Sequence, residues 1–267
     1  MAETLNYLGV QWRTLDYIPF KKDLIAVDFF EPQVTDGHEV FDDNVVVYGS
    51  INLLQYVSKN MMGWQPGAGV SWNKYRCSAY YPAYCSYLFN NSGDWYPVEW
   101  LIKNFDELIP VEGFIRPDEA TKSFKGGRYN KRDFLKAISG LEDDFWVYVD
   151  TPTNPHDAGE IIQKEYRIFC CRDQVITGSQ YRENETKKVD AFVPDAAYEF
   201  VTELLRTVQY FPDDVFAVDI AEVCDEFYLL ELSPWACAGL YACDVSKLVT
   251  AVCEHYSHHR IMKRKVF

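Results

Sequence analysis

No C-x-x-C unit occurs among the eight cysteines of this 267-residue chain, at 77, 85, 170, 171, 224, 237, 243 and 253, so zinc-finger spacing is excluded. The opening residues, MAETLNYLGVQW, lack a basic segment followed by an apolar stretch, and no apolar run approaches the roughly 20 residues of a membrane-spanning helix. A cytosolic protein with reduced thiols and no membrane partner is the expectation. Positive charge is scarce too: 26 Lys and Arg face 40 Asp and Glu, for a net charge of -14. Such a surface disfavours non-specific contact with nucleic acid, and cations matter here by their location. A Walker A loop is absent, and Gly67-Ala68-Gly69 is too short for a dinucleotide fingerprint.

Aromatics are plentiful, with 19 Tyr and 17 Phe, and the chain is long enough to bury a large core or two to three lobes. Residues 1–110 read as an α/β lobe. It holds the apolar run Leu24 to Phe30, a strand at Val45 to Tyr48, and a helix from Ile51 that Ser50 can cap. Between Trp64 and Asn91 aromatics alternate with turn residues, which suits either stacking on a ligand or, with more weight, a loop pinned by its own rings. Composition changes near Pro110. A short strand, Gly113 to Arg116, then feeds PDEATKSFKGGR, and from Arg116 to Lys136 seven basic residues meet three acidic ones. A glycine loop bearing Lys and Arg suits a polyphosphate; a solvated basic face is the alternative.

Farther along, Phe145 to Val149 reads as a strand. Ile161 to Cys171 and Gln174 to Tyr181 read as a pair, with Glu165, Arg167 and Phe169 on one face. Arg167 needs a partner for its charge, either Glu165 or a phosphate. Asp195 to Val208 is an amphipathic helix, and Val245 to His255 is another that runs into a basic tail. A metal site at His255, His258 and His259 is the less favoured reading of that tail.

The segment VFAVDIAEVCDEFYLLELSP, residues 215–234, has the pattern of a β-hairpin. If Val223 pairs with Phe227 across a three-residue loop, Asp219 lies opposite Glu231, with Cβ atoms roughly 5 Å apart. Alternation groups Glu231 with Phe227 and Leu229. Two facing carboxylates call for a shared proton or a bridging cation, and hard oxygens favour Mg²⁺ or Mn²⁺. An edge hairpin with one carboxylate in solvent is the other open reading.

The blocks FIRPDEATKSFKGG, EYRIFCCRDQVITGSQYR and FAVDIAEVCDEFYLLELSP, in this order over residues 111–245, resemble the ATP-grasp fold. They are most similar to the bacterial and phage branch in which an arginine stands where most families have a lysine. The resemblance implies an α+β architecture in which two subdomains, here within 111–267, grip ATP behind the N-terminal lobe. It also implies an ATP-dependent carboxylate–amine ligase that works through an acyl phosphate with Mg-ATP, on a small-molecule or peptide substrate. Carried over residue by residue, it assigns Arg116 to the phosphates and Lys122 and Lys125 to a mobile loop above them. Val147, Val149 and Thr151 fall in the adenine hinge, Arg167 faces the transferred phosphoryl group together with Lys125, and Asp219 and Glu231 are metal ligands. Where the family pattern reads E-x-N this chain has Glu231-Leu232-Ser233, and a serine hydroxyl is a weaker metal donor than an amide oxygen. Some ATP-grasp-like proteins, including an assembly chaperone of translation initiation, use bound nucleotide to organise a protein complex, so a protein partner and little turnover is the competing expectation.

Overall fold

The computed structural model describes residues 1–9, 15–18, 23–28, 31–35, 45–151 and 162–263. The polar insert after Thr151 and residues 264 and 265 of the basic tail lie outside them, as do the side chains of His258 and His259. The helices are α1 (Ala2–Tyr7), α2 (Ile51–Asn60), α3 (Cys77–Tyr84), α4 (Val98–Leu108), α5 (Lys131–Ala137), α6 (Asp195–Val208) and α7 (Val245–Lys263). No helix among the described residues is long and apolar enough to cross a membrane.

Early in the chain β1 (Leu15–Ile18), β2 (Asp23–Asp28) and β3 (Glu31–Thr35) form an antiparallel meander. The apolar run at Leu24 becomes β2; Phe29 and Phe30 lie outside the described residues. The expected strand at Val45 to Tyr48 makes only a bridge, Val46 to Gly67, because Gly67 and not an extended partner lies beside it. Helix α2 starts as its sequence dictates, with the Ser50 hydroxyl accepting from the Leu53 amide at 3.2 Å.

The aromatic stretch is a correction. It is not a surface loop, for Tyr75, Tyr80 and Tyr84 are fully buried and α3 sits inside the main core. Its apolar residues surround Pro82 without a clean polar face, so periodicity gave no signal.

Four strands, β4 (Asp94–Pro97), β5 (Gly113–Pro117), β6 (Gly127–Tyr129) and β7 (Trp146–Asp150), form a sheet in the order β4-β7-β5-β6. Val147, Val149 and Ile115 pack with α4 and α5 on one of its faces. β4 and α4 precede residue 111, so this sheet starts ahead of the composition change near Pro110.

The larger sheet comprises β8 (Lys164–Cys171), β9 (Gln174–Glu183), β10 (Thr186–Asp190), β11 (Val215–Val223) and β12 (Glu226–Pro234), in the order β10-β9-β8-β11-β12. One face, including Tyr166, Ile168, Val218 and Ile220, packs on α3 and α6. The other carries Phe169, Val215 and Ala217 against α2 and α7. Polar residues continue that second face.

Candidate functional site

The hairpin turn is one residue shorter than its sequence suggested. Val223 pairs with Glu226 rather than Phe227, and Cys224 and Asp225 take the left-handed φ values of +50° and +66° that a two-residue turn requires. A bulge at Leu230 then restores the lost residue, so Asp219 still faces Glu231. The bulge also reverses alternation: Phe227 and Leu229 pack with Ile220 in the α6-side core, while Glu231 lies on the other face. The grouping of Glu231 with Phe227 and Leu229 is thus corrected.

Neighbouring strands extend this row across the sheet, as Ser179–Arg167–Asp219–Glu231, each residue directly opposite the next. Arg167 grips Asp219 with both arms of its fork, Nε to Oδ1 at 2.8 Å and Nη2 to Oδ2 at 2.7 Å, and both side chains are buried. Burial alone would weaken the charge on Arg167, but Asp219 outweighs it and keeps the guanidinium protonated. Glu165, the other candidate partner, pairs instead with Arg182 at 3.0 Å.

Glu231 is held from outside its own sheet. Lys122 Nζ lies 3.0 and 3.2 Å from its two oxygens, and Arg116 Nη2 lies 3.3 Å away. Burial raises the Glu231 carboxyl, yet Lys122 and Arg116 outweigh that effect and hold it below the ordinary carboxylate value. Arg116 leaves β5 and spans the two sheets. Its Nη1 donates to the Leu230 carbonyl at 3.2 Å, at the bulge, and to the Tyr81 hydroxyl at 3.1 Å, with the Tyr81 ring centroid 5.9 Å from its Cζ. Gly126 passes so close that a Cβ there would lie 3.0 Å from Arg116 Cβ. The loop between β5 and β6 is fastened at its root by Asp118, which accepts from Arg76 at 2.8 Å and from the Ser78 amide at 2.7 Å.

Residues 103–251 match the model of a protein family described as an ATP-grasp domain, family 2 of its clade. The chain belongs to this ATP-grasp family. No curated protein sequence matches it. Among solved structures it is similar to the D-cycloserine synthetase DcsG, with 10% identity over 95% of this chain and 92% of that one and a TM-score of 0.56. It is also similar to the ATP-grasp ligase PsnB complexed with minimal precursor, at 13% identity over 95% and 93% with a TM-score of 0.51. At these identities the likeness is one of fold, and that fold is α+β.

In this ATP-grasp domain the sequence-derived residues divide into two sets. Arg116, Lys122, Arg167, Asp219 and Glu231 are brought into one charged cluster. Lys125 stays exposed on the same loop, where its carbonyl accepts from the Tyr129 hydroxyl. Val147 and Val149 lie in the core of the smaller sheet, with β4 and β5 paired on either side of them, and Thr151 is the first residue beyond that ladder. Sequence reading missed Tyr81, whose aromatic neighbours hid its role, and Leu230, because a bulge leaves no pattern of its own.

The donor set suits a hard divalent cation. Ser233 lies two residues beyond Glu231 on the same strand, and its hydroxyl is buried without a hydrogen-bond partner among the described residues. A carboxylate has about four lone-pair sites, so Asp219 retains capacity beside its two bonds to Arg167. Among the described residues no group of three or more His, Cys, Asp or Glu gathers as a metal site, here or elsewhere, so the donors at this place are two carboxylates and a hydroxyl.

Proposed function

We propose that this chain is an ATP-dependent carboxylate–amine ligase, with Mg²⁺ as its metal, or Mn²⁺ in its place. The carrying observation is the convergence of Arg116, Lys122 and Arg167 on Asp219 and Glu231 where the two sheets meet. Phosphoryl transfer depends chiefly on positioning and on neutralising charge, so a cluster of fixed cations beside metal-binding oxygens is the chemistry it needs.

Asp219, Glu231 and Ser233 would hold Mg²⁺, which supplies neutralisation of the phosphate oxygens when bound. Lys122 and Arg116 provide donors to the phosphates, Lys125 covers them from the loop, and Thr151, with the backbone of Val147 and Val149 leading to it, marks the adenine end. Arg167 stabilises negative charge developing on the carboxylate as an acyl phosphate forms and an amine then displaces phosphate. The substrate is a small-molecule or peptide carboxylate, a range that PsnB bound to its minimal precursor and a D-cycloserine synthetase illustrate within this fold.

Titration calorimetry of ATP with and without Mg²⁺ tests this reading on the wild type and on an Asp219→Asn, Glu231→Gln double variant. Metal-dependent binding that the variant loses is expected, followed by carboxylate-stimulated release of ADP. Tight ATP binding without ADP release from any carboxylate–amine pair would point instead to a nucleotide-binding assembly protein.

A further inference from the structure

We propose that Cys171, His255 and Asp214 form a second reactive site, at which a hydroperoxide oxidises the Cys171 thiol to a sulfenic acid. The three residues come from separate elements that the core brings together. Cys171 ends β8 on the α7 face of the larger sheet and pairs with Val215, and Asp214 directly precedes Val215 at the start of β11. On α7, Leu248, Val252 and His255 follow one another at helical spacing, so packing Leu248 and Val252 into the core carries His255 onto the sheet.

The order is nucleophile, base and orienting acid. His255 Nδ1 lies 3.7 Å from Cys171 Sγ, a hydrogen-bond distance for sulfur, and His255 Nε2 lies 3.1 Å from Asp214 Oδ2. Asp214 is itself placed by its neighbour across the strands: its carbonyl accepts from the Arg172 amide at 2.7 Å, and its other carboxylate oxygen lies 3.8 Å from Arg172 Nε. A carboxylate beside Nε2 keeps the imidazole proton on that nitrogen, which leaves the Nδ1 lone pair facing the thiol. Tyr256 braces the His255 ring edge-on, with the centroids 5.2 Å apart.

Burial, with Asp214 adding to it, raises the Cys171 thiol above its ordinary value, and Arg172 only partly offsets this. The resting sulfur is therefore protonated and needs a base at the moment of attack, which His255 supplies. As Sγ attacks one peroxide oxygen, its proton passes to Nδ1 and the O–O bond breaks. Nδ1 then returns the proton to the departing oxygen. Sulfur is oxidised by two electrons, the peroxide is reduced by two, and hydrogen peroxide leaves as water. A small oxidant suits the place, since His255 is 11% exposed and Cys171 only partly so. Alternation turns Cys170 to the opposite face, where it is fully buried, so it does not resolve the sulfenic acid as a disulfide. The site lies four positions along the β8–β11 ladder from Arg167 and Asp219, about 13 Å, and is separate from the charged cluster.

Exposure alone would favour Cys85 and Cys224, both exposed, and these two serve as internal controls. The full chain is treated with hydrogen peroxide, trapped with dimedone and read cysteine by cysteine by mass spectrometry. In wild type Cys171 is expected to label faster than Cys85 and Cys224. His255→Gln should slow Cys171 about 10²-fold, at the low end of general acid–base effects. Asp214→Asn should slow it less, and neither substitution should change the two controls. A substitution that merely loosened α7 would expose the thiol and speed its labelling, so the direction of the change separates a base from a prop. Cys171 labelling no faster than the controls in wild type, or labelling at or above the wild-type rate in His255→Gln, would overturn the proposal.

Discussion

Asp219 and Glu231 face each other across one ladder and are restrained by different means. Asp219 is fixed by Arg167 on the adjacent strand, so partner and carboxylate belong to a single rigid sheet. Glu231 is fixed by Lys122, whose side chain is 45% exposed on a loop, and by Arg116 from the other sheet. An in-sheet ion pair is part of the scaffold, whereas the half-exposed Lys122 can leave Glu231 without disturbing the core, with the buried Arg116 still in place. On the proposed function, Asp219 would serve the metal from a fixed position in the scaffold, and Glu231 would be the carboxylate whose partner changes when nucleotide binds.

The sharpest way to break the comparison is Asp219→Ala, which leaves a buried guanidinium without its carboxylate. A loss of roughly 3–5 kcal/mol in urea denaturation is expected, whereas Glu231→Ala should keep the fold and abolish Mg-ATP turnover. Equal destabilisation by the two substitutions would erase the distinction. Next in size is Tyr81→Phe, which removes the hydroxyl that accepts from Arg116. Bonds to charged groups contribute about 1.5–3 kcal/mol, and the loss should appear both in denaturation and as weaker ATP binding. Lys122→Ala should change stability by at most about 1 kcal/mol, because its pair with Glu231 is partly in water, while it still lowers ATP affinity.

The smallest effect concerns pH. The Glu231 carboxyl is held below its unfolded value, with Lys122 and Arg116 prevailing over burial. Its contribution is therefore fully present above the unfolded carboxylate pKa and is lost as pH falls through the depressed folded one. The difference in Tm between wild type and Glu231→Gln should accordingly be constant near neutrality and shrink in acid; a difference that widens in acid would contradict the assignment.

Much of the site was legible because the hairpin's carboxylates interrupt apolar strand, and such interruptions need charge partners. The facing of Asp219 and Glu231 was reached by way of a turn one residue too long, and the Leu230 bulge restored the register. Alternation detects neither feature, since a bulge shifts parity without changing composition. Helices α2 and α6 were visible from capping and period. α3 was not, for its buried tyrosines carry no polar face against which a period could show.

Sequence by itself determined the order of the glycine loop, the E-Y-R strand and the Asp–Glu hairpin, and with it the family, because local pattern and residue chemistry are written along the chain. Tertiary structure alone decided which cation meets which carboxylate. Arg116 and Lys122 lie more than 100 residues from the strand they serve, and Tyr81, which steadies Arg116, comes from a third part of the chain. Their meeting follows from how one sheet docks on another, a matter of packing across distance that no local spacing records.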